Sequence, residues 1–191
     1  VVQVLHKSLA LEDMINEFFD ITRFNLQYAK WNPEHMYLDR MMEQVVDEYY
    51  MLMEDKQMEV SMESGSALAL YADNEKIARV MRDLLRNLVE LGVPGSTIHI
   101  RMQDLHERYE ILMQVESRHL SAYQIAHIFH NYYRLEDVHG EGKLHVLGLG
   151  IARQIMDMQK GTLRASSIDK TLSFTIQIPK AFVPASRNPV L

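Results

Sequence analysis

The chain contains no cysteine in its 191 residues, so neither a disulfide framework nor a thiolate metal site is open to it. A reducing compartment suits it without being required. It also lacks a surplus of positive charge: 20 Lys and Arg stand against 26 Asp and Glu, a net charge of −6. That balance disfavours a nucleic-acid partner, because phosphate backbones are bound chiefly by basic surfaces, and it leaves no polybasic patch for an anionic membrane. No apolar run approaches the ~20 residues that a membrane helix needs, and the start does not follow a secretory signal pattern. From these absences the expectation is a soluble, cytoplasmic unit, with any membrane part lying outside these residues. Internal repeats and low-complexity tracts are missing too. Nine histidines are present, yet none pairs with another ligand at metal-binding spacing, and His127 and His130 share a helical face only by accident of a short helix. No nucleophile elbow or Ser-His-Asp pattern stands out.

What is present is a chain 47% hydrophobic, enough for one core and a helical extension. Residues 1 to about 30 carry apolar side chains at Val1, Val4, Leu11, Ile15 and Phe18, with Met14 and Ile21 one face over, a spacing close to a heptad. One such helix cannot bury its stripe alone, so a symmetric dimer is expected, the alternative being packing on its own domain. Pro33 ends the helical pattern. We place the domain boundary there: a dimerisation helix over 1–32, a globular domain over 33–180, and a loose tail over 181–191.

Within the globular part, Met41, Met42, Val45, Val46, Tyr49, Leu52 and Met53 predict one helix from Leu38 to about Asp55. Two alternating runs, 57–63 and 67–71, predict strands. Asp73 is the expected N-cap of a helix whose apolar face is Ile77, Val80, Met81, Leu84, Leu85, Leu88 and Val89. Strands are predicted over 97–102 and 108–115, a short helix over 123–129, a helix after Gly150, and a final hairpin through 162–166 and 171–178. This mixture predicts an α+β fold, a two-layer sandwich with a mixed, mostly antiparallel sheet, preceded by a long helix.

The most informative stretch is Gly148-Leu149-Gly150, which leads directly into a helical run. A glycine-broken turn at a helix start lets backbone N–H groups approach a polyphosphate, so phosphate binding is the first functional expectation. The fuller stretch, from His139 to Gly150, suits a loop that folds over a nucleotide.

Three segments together resemble the ATP-binding domain of sensor histidine kinases, the Bergerat-type fold shared with gyrase, Hsp90 and mismatch-repair ATPases. Asp83 to Glu90 looks like the family's N box, Ile128 to Arg134 like its F box, and Val146 to Ala152 like its second glycine box. Ile15 to Gln27 is similar to the end of the dimerisation helices in vancomycin-resistance-type sensor kinases. The resemblance covers about residues 1 to 180. It implies ATP and Mg²⁺ as cofactors, transfer of the γ-phosphoryl group to a histidine on an upstream helix, a response regulator as partner, and a homodimer. By the same resemblance Asn87 would ligate magnesium through its side-chain oxygen, and Asp83, one turn earlier, would orient the nucleophile or the second shell. Glu116 would accept the adenine amino proton. Tyr133 would cover the sugar or base, Arg134 and Lys143 would meet phosphate, and Gly148, Leu149 and Gly150 would offer lid amides.

The chain departs from the family pattern in named places. Glu90 stands where a basic residue usually meets phosphate. Arg118 and Leu120 replace the glycines of the first glycine box, and Arg118 brings bulk to the purine's position. Val146 replaces the opening glycine of the second box. His6 lacks the acidic and Thr-Pro neighbours of a phospho-accepting histidine. These departures keep a second reading open, a pseudokinase serving as a dimerising protein-interaction module.

Overall fold

The computed structural model describes residues 31–65, 67–130, 134–136, 143–145 and 149–181. The helix expected over residues 1 to 30 and the tail beyond Ala181 lie outside the described residues. After Pro33 the chain turns extended into β1 (Glu34–Tyr37), a strand that no alternation in the sequence signals. The helix expected from Leu38 to Asp55 is two helices, α1 (Leu38–Glu48) and α2 (Tyr50–Asp55). They part at Tyr49, whose backbone leaves helical geometry at φ −100° and ψ 2°. The break lets Met53 turn into the core while Tyr50 and Met51 stay exposed.

The two alternating runs that follow are strands, β2 (Glu59–Ser64) and β3 (Ala69–Ala72), and they belong to different sheets. β3 pairs antiparallel with β1. Next comes α3 (Asn74–Leu91), whose expected apolar face is buried along its length. Asp73 caps it as expected, accepting from the Lys76 amide at 3.1 Å. A hairpin of β4 (Thr97–Asp104) and β5 (Arg108–Glu116) leads to α4 (Ala122–His127), whose Ser121 and Gln124 form a reciprocal capping box. A small ribbon of β6 (Arg134–Glu136) and β7 (Lys143–His145), α5 (Leu149–Met158) and a hairpin of β8 (Thr162–Ile168) and β9 (Thr171–Pro179) complete the order.

The main sheet runs β2-β4-β5-β9-β8, parallel only between β2 and β4. Alternate residues of β5 and β9, among them Ile111, Met113, Phe174 and Ile176, are fully buried and form one core with Leu84, Leu85 and Leu88 of α3. The result is the expected α+β two-layer sandwich with a mixed, mostly antiparallel sheet. Truncating a side chain such as Leu88 to alanine would cost about 2–5 kcal/mol, transfer and cavity terms together. One glycine is set by close approach: a Cβ on Gly92 would meet Met58 Cε at 2.6 Å, Leu88 O at 2.7 Å and Val115 Cγ2 at 3.0 Å. α3 can therefore end tight against β5 only without a side chain there. Among the described residues no helix is long and apolar enough to cross a membrane.

Candidate functional site

The site grows from the last turns of α3. Among the apolar residues that this helix buries, Asn87 is the polar exception, 1% exposed. Its Nδ2 donates to the Asp83 carbonyl at 2.6 Å, one turn back on the same helix. An amide has two ends, so committing the nitrogen to that carbonyl aims Oδ1 elsewhere, and the oxygen is the atom a hard cation takes. Asp83 itself lies partly exposed with Arg79 Nε 3.8 Å from its carboxylate. Its charge is felt at Tyr49 in the α1–α2 junction. There burial pushes the phenol above its ordinary range, Arg86 opposes that rise, and Asp83 adds to it.

Glu90, the acid where the family resemblance calls for a base, is paired. The Lys56 ammonium stands 3.4 Å from its carboxylate and donates to the Val89 carbonyl at 2.9 Å. One cation thus serves both the negative end of the helix and the unusual carboxylate beside it.

The base end is arranged differently. In β5 the residues Tyr109, Ile111, Met113 and Val115 are buried against the helical layer, and Glu116, of opposite parity, is exposed. Strand alternation therefore carries Glu116 to the outer face and does not bring it together with Asn87. The neighbouring Ser117 is the buried one, 1% exposed, its N–H donating to the Lys170 carbonyl at 2.7 Å and its Oγ to the Arg118 carbonyl at 2.9 Å. Its parity with Val115 was the signal for it in the sequence. Val93 N–H donates to the Glu116 carbonyl at 2.8 Å, and Gly92 bridges Ser117, so the strand end is clasped by the loop leaving α3. Arg118, half-buried, follows directly.

Of the lid residues, Tyr133 and Gly148 lie outside the described residues. Arg134 opens β6 and Lys143 opens β7, facing His145 and Glu136 respectively across the ribbon. α5 starts at Leu149, two residues before the start expected from the glycine pattern. Leu149 is 1% exposed, so its side chain belongs to the core and only its backbone is left for a ligand. Gly150 is half-buried in the first turn. Phe129 of the F-box segment packs 6.4 Å from Phe174, under the Arg153 guanidinium at 5.7 Å, which ties the start of the lid to the core and to α5. No group of three or more potential metal-ligating side chains occurs among the described residues.

Residues 72–181 match the family described as histidine kinase-, DNA gyrase B- and HSP90-like ATPases. The sensor protein VanSC of Enterococcus gallinarum is 30% identical over 177 residues, covering 92% of this chain and 49% of that protein. The chain thus spans about half the length of the curated relatives it matches. Among solved structures, the catalytic domain of the histidine kinase ThkA superposes with a TM-score of 0.70 at 19% identity, covering 78% of this chain and 97% of that one. ThkA in complex with the response regulator protein TrrA gives a TM-score of 0.73 at 19% identity, over 93% of this chain and 49% of that one. A buried asparagine on the third helix, a helix opening at the second glycine box and a match from β3 through Ala181 fall in one order: the chain belongs to the histidine kinase-, DNA gyrase B- and HSP90-like ATPase family, as the ATPase domain of a sensor histidine kinase.

Proposed function

We propose that this domain binds Mg-ATP and supplies the γ-phosphoryl group to a histidine on an upstream helix, from which a response-regulator aspartate receives it. The observation that carries the reading is Asn87, the buried amide at the N-box position of α3: its nitrogen is held by the Asp83 carbonyl at 2.6 Å, and its oxygen would serve as a neutral hard ligand. A magnesium ion held there would neutralise phosphate charge, and the protein's part in such transfers is mostly positioning and electrostatic complementarity. Asp83 would orient the second shell or the nucleophile. Arg134 and Lys143, at the two strand starts of the lid ribbon, would face phosphate, with Tyr133 over the sugar and the Gly148 to Gly150 amides on the triphosphate. The amphipathic pattern over residues 1–32 supports a homodimer through that segment, with the globular domain following from residue 33.

Titration of the Asn87→Ala protein with Mg-ATP tests the assignment. Affinity should fall by at least about tenfold, as expected for loss of a metal ligand or its orienting partner, while binding of ATP in EDTA should change little. Equal Mg-ATP affinity in the two proteins would refute the ligand role. The base end favours a second reading. Glu116 faces outward and Arg118 stands where a glycine would leave room for the ring, which suits a pseudokinase that works as an interaction module. Calorimetry on the unmodified chain separates the two, since absence of heat at millimolar Mg-ATP would leave only the second.

A further inference from the structure

β2 is the last strand of its sheet, and among the described residues nothing pairs with its outer edge. In its parallel ladder with β4, Glu59 receives its partner first, its N–H donating to Ser96 O at 3.2 Å. Residues 59, 61 and 63 therefore spend their backbone groups on β4, and Val60 and Met62 aim theirs outward. An exposed edge of this kind is a template for another strand unless something blocks it.

Beside this edge the sheet and the helices leave a groove of about 690 Å³. Its walls come from Val46 of α1, Tyr50 and Met53 of α2, and Met58 and Val60 of the β2 segment. Tyr50 is 60% exposed and the adjoining Met51 68%, so the apolar surface continues out of the groove. Methionine side chains adapt to what they meet. The rim is acidic: Glu54 and Glu59 line it, and Asp47 and Asp55 are exposed on the same two helices. No cation lines the groove among the described residues, and Lys56, between α2 and β2, is engaged by Glu90.

We propose that the groove and the β2 edge together form a docking site for an extended, lysine- or arginine-bearing segment of a partner protein. That segment adds as a sixth strand beside β2, with alternate apolar side chains in the groove and its cations against Glu54 and Glu59. Outward backbone groups call for a strand, since a helix has already satisfied its own. Charge selects a foreign segment over the chain's own. Residues 1–30 hold Lys7, Arg23 and Lys30 against Glu12, Asp13, Glu17 and Asp20, which gives no net positive charge to meet an acidic rim. Residues 182–191 carry Pro184 and Pro189, which lack the backbone donors that an added strand uses. A second copy would bring another −6. The site uses none of the residues assigned to nucleotide, so its fate is independent of that reading.

The test uses the full chain and a short capped peptide alternating lysine with valine, with a glutamate-for-lysine peptide as its counterpart. Nuclear magnetic resonance follows the Val60 and Met62 amides and the Met53 and Met58 methyls. The lysine peptide should move both sets together, and the Glu54→Lys/Glu59→Lys protein should bind it at least about tenfold more weakly while gaining the glutamate peptide. Methyl shifts without amide shifts, equal affinity in the charge-reversed protein, no response to the lysine peptide, or β2 amides already protected from exchange before peptide is added would each overturn the proposal.

Discussion

Replacing Asp73 with alanine should remove three interactions at once. Its Oδ1 accepts from the Lys76 amide at 3.1 Å, the N-cap of α3, and its Oδ2 accepts from the Asn32 amide at 3.0 Å and the Lys76 ammonium at 2.8 Å. Losing the cap costs about 1 kcal/mol. Stranding the Asn32 N–H, which is partly buried, adds about 1–2 kcal/mol. The ion pair is well shielded, with side-chain exposures of 14% and 5%, yet Lys76 also lies over the Trp31 ring at 4.9 Å and keeps a place to rest. We therefore expect a total of about 2–4 kcal/mol, or a fall in Tm of roughly 4–16 °C for a chain of this size. Asp73→Asn keeps an acceptor for the cap and loses the charge, so it should cost less.

The two variants also separate by pH. Burial alone would raise the Asp73 carboxyl, but the hydrogen bonds from the Lys76 side chain and from the Asn32 and Lys76 amides outweigh it and hold the group below the ordinary aspartate range. A depressed native value means that the charge contributes its full stability above the unfolded value, about 3.9. The contribution is lost as pH falls through the lower native value. The gap between native and Asp73→Asn proteins, read from urea midpoints, should be constant near neutrality and shrink below about pH 4. An alanine variant within about 0.5 kcal/mol of native, or a gap indifferent to acid, would refute the reasoning.

Gly92→Ala should cost about 1–3 kcal/mol by urea unfolding, because Met58 can move from the new methyl but the Leu88 carbonyl cannot; a neutral result would mean that α3 ends less tightly than described. Lys56→Met should weaken Mg-ATP binding at low salt by releasing the Glu90 charge toward the phosphates, an effect of ~1 kcal/mol at 4 Å in water. Adding Glu90→Gln should restore it, and failure of that rescue would show that Glu90 does not border the triphosphate. Glu116→Gln should leave nucleotide affinity within about twofold, since a side chain on the outer face makes no charge-assisted bond to lose; a tenfold loss by calorimetry would place the carboxylate at the base after all.

Where the sequence was legible, one physical requirement acted along many residues. α3 must bury one side for its whole length, so the spacing from Ile77 to Val89 reports it, and Asp73 marks its start for the independent reason that free N–H groups need an acceptor. β2 and β3 were legible as strands and not as partners, because alternation records which face is buried and says nothing of which neighbour is hydrogen-bonded. β1 offers one buried residue in four, too little for a period. The break at Tyr49 is silent because apolar spacing continues on both sides of it. Leu149 was read as part of a phosphate turn because glycines flank it, whereas its own side chain obeys the core.

Glu116 carries the sharper lesson, because motif spacing and strand parity disagree there. Counting back from the F-box segment assigns the adenine-reading position by its place in the chain. The pleat assigns direction by parity, and Val115 and Ser117 take the inward positions on either side. The departures from the family pattern are therefore unequal in consequence. At the phosphate end Glu90 is answered by Lys56 and Asn87 keeps its amide anchored, so the features proposed to hold metal and triphosphate stand together on α3. At the base end no residue described here compensates the outward turn of Glu116. A site altered in this way should depend on magnesium and phosphate more than on the identity of the base, so competition by GTP against ATP should discriminate far less than removal of the metal.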